Sequence, residues 1–230
     1  MRKVSRRQKE NSSKIENFIY SNLTDAIATL KKTANAKFIE SIEFHANLNI
    51  DPKYADQQLR TTITLPNGIG KDIKIAALVN ENNIKEAKEG QADLIGNNDL
   101  IEEINKGNLN FDLLVTTPDM MPKLAKLGRI LGPKGLMPSP KSGTVTTALK
   151  STLNEFKKGK FEYKADKTGI VHINFGKSDF TDLQLIENLQ ALYKSIEQNR
   201  PAGVKGKYFK SLYICSTMGP SIKLDINAFL

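Results

Sequence analysis

Apolar and polar residues follow two different periods along this chain, and the change from one to the other divides it. Leu23, Ile27, Leu30 and Ala34 recur at helical spacing, with Asn22 or Thr24 placed to cap a helix over 23–34. Ile42, Phe44, Ala46, Leu48 and Ile50 then alternate with Glu43, His45, Asn47 and Asn49, which predicts a strand with one face in a core and one face polar. A second strand, Thr61 to Leu65, ends at Pro66-Asn67-Gly68-Ile69-Gly70, a break and a candidate hinge. From there the texture changes. Ile73 to Val79 is a continuous apolar run, as in a strand covered on both faces. A helix at 81–89, a strand at 93–95, a helix at 99–106, a strand at 111–116 and helices at 123–131 and near 146–157 follow. Strands alternating with helices imply a parallel sheet with helices on both sides.

At Lys158-Gly159-Lys160 the first texture returns. Phe161, Tyr163 and Ala165 alternate with charged residues, Asp166 to Gly169 makes a turn, and Val171, Ile173 and Phe175 alternate again, which predicts a hairpin with one wet face. An amphipathic helix spans about 182–199, with Thr181 and Gln184 at capping-box spacing and Pro201 as its stop. Tyr208 to Ser216 reads as the last strand. Both ends of the chain are therefore half-buried α+β and the middle is covered α/β. The economical topology is one domain built from both termini, 1–67 plus 160–230, with 68–159 inserted and hinges near 66–70 and 157–160. Three small units in series would each make a marginal core.

Charge sharpens this division. The 230 residues carry a net charge of +9, a balance that favours phosphate-bearing partners. It is not spread evenly: residues 71–119 hold five lysines against ten acids, whereas 120–160 hold nine Lys/Arg against one acid, Glu155. The basic run centres on GRILGPKGLMPSPKSGT at 128–144, a stretch with four glycines, three prolines and no acid. A stiff, close-approaching loop carrying Arg129, Lys134 and Lys141 suits contact with a polyanion. The start, MRKVSRRQKENSSK, is basic and lacks the apolar core of a secretory signal. A short transit-like segment and a basic arm meeting nucleic acid explain it equally well.

Catalytic chemistry is scarce. The loop fails the spacing of a phosphate-binding G-x-x-x-x-G-K-[ST], GIGK at 68–71 is too brief for a dinucleotide fingerprint, and there is no nucleophile elbow. With one cysteine, Cys215, and two histidines, His45 and His172, neither a disulfide framework nor a Cys/His zinc cluster can be built. Neither cofactor nor metal is expected. Cys215 reads as a small residue packed in a strand. No apolar run approaches the roughly 20 residues of a membrane helix, so neither a membrane nor a small-molecule substrate is expected as a partner. Two places suit RNA, although a surface histidine explains the first and a plain strand-to-turn exit with Met218 in the core explains the second equally well. His172 lies on the wet face of its strand beside Asn174, with Gly176-Lys177 after it. Ser216-Thr217-Met218-Gly219-Pro220-Ser221 puts hydroxyls, a glycine and a thioether at a strand end, where they can meet phosphates, 2′-hydroxyls and base faces.

Read together, these segments resemble a known family. GRILGPKGLMPSPKSGTV (128–145), AKFIESIEFHANLNIDPKYADQQLRTTITLPNGIGK (36–71), FDLLVTTPDMM (111–121), DKTGIVHINFGK (166–177) and STMGPS (216–221) are similar, in order, to the large-subunit ribosomal protein L-one family, over essentially the whole chain. The resemblance implies a split βαβ α+β domain formed by both termini and an inserted three-layer, Rossmann-like α/β domain. It implies a ribosomal constituent, not an enzyme, that binds large-subunit ribosomal RNA and, in the mobile stalk, assists movement and release of deacylated tRNA from the exit site. Repression of its own mRNA is a further implication. Carried over by position, the RNA contacts would be Lys37, Phe38, Glu43, His172, Gly176, Lys177, Ser216, Thr217, Met218 and Gly219, with Arg129, Lys134 and Lys141 as an auxiliary basic loop. DPKYADQQLR resembles the cyanobacterial and plastid branch, and lysine outnumbers arginine 28 to 6 as AT-rich coding favours. The expected location is the plastid (chloroplast) stroma, the alternative a bacterial cytoplasm. The rival reading from another class is a nucleotide-dependent α/β enzyme gripping phosphates with the Gly/Pro loop.

Overall fold

The computed structural model describes residues 5–15 and 19–229. In chain order the first elements are α1 (Arg6–Ser13), α2 (Leu23–Thr33), β1 (Ser41–Leu48) and β2 (Arg60–Thr64). Then come β3 (Ile75–Leu78), α3 (Ile84–Glu89), β4 (Leu94–Gly96), α4 (Asn98–Asn105), β5 (Leu113–Thr116), α5 (Met121–Ala125), α6 (Gly128–Leu131) and α7 (Leu149–Lys157). The chain closes with β6 (Lys160–Lys164), β7 (Ile170–Lys177), α8 (Asp182–Gln198), β8 (Phe209–Ser216) and β9 (Ile222–Leu224). Two compact units result, one of Met1–Gly70 with Tyr163–Leu230 and one of Lys71–Glu162.

The first unit is built on an antiparallel sheet ordered β7-β1-β8-β9. α8 joins β7 to β8, and β1 lies between them, which is a split βαβ arrangement. Ile42, Phe44, Ala46 and Leu48 of β1 are fully buried beneath α2 and α8, as their alternation predicts. Val171, Ile173, Phe175, Leu212 and Ile214 complete that face. α8 starts at the predicted capping box: Gln184 N donates to Thr181 Oγ1, and Thr181 N donates to Gln184 Oε1. Asn188 on α8 is fully buried. Its Nδ2 donates to Gly68 O (2.9 Å) and Phe175 O (2.8 Å), and its Oδ1 accepts from Asn67 N (3.1 Å). One side chain thus fixes the turn that follows β2 to both the helix and the sheet.

Two sequence expectations fail in this unit. Residues 161–175 do not form a hairpin: β6 pairs with β2, β7 pairs with β1, and only an isolated bridge, Ala165 with Val171, joins the two arms. The turn itself exists, because Asp166 Oδ1 accepts from Thr168 N and Ile170 N, but the arms splay into different sheets. Nor is Tyr208–Ser216 the last strand, since β9 adds to the edge beside β8.

The second unit is a three-layer sandwich. Its parallel sheet runs β4-β3-β5. Ala76 and Leu78 of β3 pack with α4, α5 and α6 through Ile104, Leu124 and Leu131. Ile75, Ala77 and Val79 pack the other way, with Ala87 of α3 and Leu149, Leu153 and Phe156 of α7. The continuous apolar run at 73–79 follows from this double coverage.

Candidate nucleic-acid interface

Eight of the ten predicted RNA residues, all but Glu43 and His172, converge at one end of the antiparallel sheet, where β1 begins and β7 and β8 end. Ile42 pairs with Gly176 on one side and Ser216 on the other, and Ser41 pairs with Lys177. The organising residue is one that pattern reading passed over. Glu40 is 1% exposed. Its Oε1 accepts from Ala36 N and its Oε2 from Met218 N, both at 2.9 Å. Its own backbone exchanges bonds with Ser178, N to Oγ at 3.1 Å and Ser178 N to its carbonyl at 2.9 Å. Burial raises the pKa of this carboxyl, but the N–H groups of Met218 and Ala36, the Ser216 hydroxyl and the charge of Arg7 outweigh it, so it titrates below its ordinary value. A buried carboxylate therefore ties together the segment before β1 and the loop after β8.

That clamp displays an apolar and basic surface. Phe38 and Ile39 are each 55% exposed and Met218 is 47% exposed, unusual values for large apolar side chains. Lys37 is exposed beside them, and Lys177 is half-exposed at the end of β7. Thr217 is exposed, yet its hydroxyl is engaged within the chain: Oγ1 accepts from Ser41 N (3.0 Å) and donates to Ser41 O (3.2 Å). A hollow of about 280 Å³ beside the loop is lined by Arg7, Gln8, Asn11 and residues 217–220. Its far wall is α1, within the basic start of the chain. Asn11, 1% exposed, anchors α1 by donating to Thr33 O at 2.9 Å and bonding with Asn35.

Two of the predicted contacts are inside the protein. Gly176 is buried, and a Cβ there would lie 2.6 Å from Leu185 Cδ2, so its small size serves the packing of α8 on β7. The Ser216 side chain is 1% exposed and stands behind the loop. A Cβ on Gly219 would meet Ser216 Oγ at 2.4 Å, so this glycine lets the loop close on the strand end.

Glu43 and His172 lie apart from the sheet's end, on its uncovered face. There His45 pairs with His172 across β7 and with Tyr213 across β8. His45 Nδ1 is 2.8 Å from His172 Nδ1, and His45 Nε2 is 3.1 Å from Cys215 Sγ. Burial first, then the charge of His172, lowers the pKa of His45, against an opposing effect of Glu43. Burial and the charge of Glu43 push the Cys215 thiol up to about 11, so it is protonated at neutral pH. Cys215 lies in β8, half-buried on this polar face.

In the second unit Arg129, Lys134 and Lys141 are all exposed. The helix predicted at 123–131 is broken into α5 and α6, and α6, Gly128–Leu131, opens this loop. A buried hydroxyl network fixes the rest: Thr144 Oγ1 accepts from Ser139 N and shares a hydrogen with Ser142 Oγ, each at 2.9 Å. Gly135 and Gly143 take positive φ, 71° and 68°, at its turns. The loop's rigidity is thus explained by its own packing. No helix among the described residues is long and apolar enough to cross a membrane.

The profile of the Ribosomal protein L1p/L10e family matches residues 30–220. The chain is 74% identical over 230 residues to "Large ribosomal subunit protein uL1c" of Trieres chinensis, covering all of both chains. It is 72% identical over 229 residues to the protein of the same name in Phaeodactylum tricornutum, again over all of both. To "Large ribosomal subunit protein uL1" of Prochlorococcus marinus strain MED4 it is 58% identical over 228 residues, 99% of this chain and 97% of that one. A match of this extent to ribosomal proteins leaves the nucleotide-dependent enzyme without support, and the chain belongs to the Ribosomal protein L1p/L10e family.

Proposed function

We propose that the antiparallel unit binds large-subunit ribosomal RNA at the end of its sheet, with Lys37, Phe38, Lys177, Thr217, Met218 and Gly219 as the contact surface and Arg7 of α1 beside it. The observation that carries this reading is the Glu40 clamp. A carboxylate buried to hold the backbone of Met218 in place makes sense if the loop must present a fixed shape. RNA helices are recognised largely by shape, through their 2′-hydroxyls and phosphates, and unstacked bases lie on exposed aromatic faces. Phe38 and Met218 supply such apolar contacts, the backbone of Thr217 to Gly219 allows close approach, and Lys37, Lys177 and Arg7 supply phosphate affinity. Gly176 and Ser216 shape this surface from behind.

On this reading the chain is a constituent of the large subunit, and the basic loop Arg129–Lys141 is an auxiliary face. Assistance to the release of deacylated tRNA at the exit site and repression of its own mRNA are finer proposals that rest on the family alone. A plastid location follows from the diatom relatives named uL1c, and a bacterial cytoplasm is the alternative favoured by the Prochlorococcus relatives. The RNA reading is tested by filter binding of a large-subunit ribosomal RNA fragment to Met218→Ala. Met218 makes no side-chain hydrogen bond, so its loss should weaken binding about tenfold, or about 1.4 kcal/mol, with an unchanged melt. Unchanged affinity would remove Met218 from the surface.

A further inference from the structure

The uncovered face of the sheet carries a group of side chains that the surface at its end does not explain. Glu43 and Cys215 are cross-strand partners on β1 and β8, and His45 lies two residues along β1 on the same face. His45 Nε2 is 3.1 Å from Cys215 Sγ and 3.6 Å from Glu43 Oε2. One donor atom from each of the three lies within 4.8 Å of the others, and among the described residues this is the one such group. Zinc bonds to nitrogen, oxygen and sulfur of about 2.0–2.3 Å at tetrahedral angles place donors roughly 3.3–3.6 Å apart. The Nε2–Oε2 separation of 3.6 Å lies in that range and the Nε2–Sγ separation of 3.1 Å just below it, so small side-chain rotations would bring the donors onto an ion.

The surroundings orient the imidazole as a ligand needs. A metal-bound histidine usually has its second nitrogen held by a hydrogen bond. His45 Nδ1 has such a partner in His172 Nδ1 at 2.8 Å, and His172 Nε2 in turn lies 3.8 Å from Asp166 Oδ2. With the shared proton on His45 Nδ1, the lone pair of Nε2 points toward Cys215 and Glu43. In that tautomer the thiol donates to the Nε2 lone pair, and a cation would take the place of its proton.

We infer that Glu43, His45 and Cys215 form a binding site for a divalent cation of the zinc type, with a fourth coordination position open to solvent. The mixed S, N, O donor set suits a borderline-soft ion and disfavours magnesium or calcium, which take oxygen ligands. Three protein ligands leave a position free, unlike a closed structural site. On binding, Cys215 coordinates as the thiolate and its proton leaves to solvent. One cysteine and two histidines cannot close a zinc site by themselves; folding adds the carboxylate of Glu43.

The test uses the full reduced chain after chelation and dialysis, titrated with Co²⁺ by absorption and with Zn²⁺ by calorimetry. A single site with a thiolate-to-cobalt charge-transfer band is expected. Cys215→Ser should abolish the band and Glu43→Gln should weaken both metals. His172→Gln, which removes only the orienting partner, should keep the band but weaken Zn²⁺ about 10–100-fold. Mg²⁺ should not compete. The absence of a band in the wild-type chain would overturn the inference, as would Zn²⁺ affinity unchanged in both Cys215→Ser and Glu43→Gln with wild-type melts. RNA is absent from these measurements, so their outcome is independent of the RNA surface.

Discussion

Glu40→Gln removes a charge but keeps the shape of the clamp. The carboxylate accepts two backbone N–H bonds at 2.9 Å, from Ala36 and Met218. A glutamine keeps one acceptor oxygen and turns an NH₂ toward the other N–H. A hydrogen bond to a charged group contributes about 1.5–3 kcal/mol, so losing one of the two should cost about 2 kcal/mol. For a chain of this size that lowers Tm by about 4–8 °C. The pH dependence follows from the sign of the shift. The folded carboxyl titrates below its ordinary value of 4.5. The stabilisation is therefore complete above that ordinary value and is lost as pH falls through the depressed folded value. The Tm difference between wild type and Glu40→Gln should be full at pH 7 and shrink below about pH 4.5. Because the clamp sets the position of Met218, ribosomal RNA affinity at 20 °C or so, where both chains are folded, should drop about tenfold. Scanning calorimetry across pH and filter binding at pH 7 check both halves. Equal Tm values at pH 7 would refute the clamp, and a lowered Tm with wild-type affinity would detach the loop's position from RNA binding.

Gly219→Ala should destabilise by about 1–3 kcal/mol through overpacking, because its Cβ would meet Ser216 Oγ at 2.4 Å. The double variant with Ser216→Ala should recover most of the loss in a thermal melt, since the nearest remaining Ser216 atom is 3.6 Å away. Asn188→Ala removes three hydrogen bonds, one buried and two part-buried, and should cost about 3 kcal/mol, with faster proteolysis at 67–70 as the local readout. Replacing Lys134 and Lys141 by alanine should reduce RNA affinity modestly and lower the slope of log K against log salt by about 1–2. A collapse of specific binding in that double variant would return the loop to the centre of the mechanism.

The elements that were legible in the sequence are those whose burial pattern is set by local geometry. Alternation through Ile42–Leu48 is the signature of a sheet with one covered face, and the unbroken run at 73–79 is that of a strand between two helical layers. Thr181 and Gln184 announce the start of α8 because a capping box is a local motif. The misread strand pairings are non-local. Pattern alone does not say which strand pairs with which, so β6 and β7 read as a hairpin although Asp166 only turns the chain between two sheets. β9 is three residues long and α1 is largely polar, so neither has a period to detect. In the site, exposed Lys37, Phe38 and Met218 could be named from a motif. Glu40 could not, because its importance lies in N–H groups brought to it by distant segments. Gly176 and Ser216 were named as contacts because a motif does not distinguish a residue that touches RNA from one that shapes the surface behind. Cys215 and His45 meet only across β1 and β8.

The central claim, that the end of the antiparallel sheet is the main RNA surface, is tested most directly by ultraviolet cross-linking of the chain to a large-subunit ribosomal RNA fragment, with the linked residues mapped by mass spectrometry. Links concentrated at Lys37–Phe38, Lys177 and Thr217–Gly219, competed by unlabelled specific RNA, are the predicted result. Specific links confined to Arg129–Lys141, with none at the sheet's end, would contradict it.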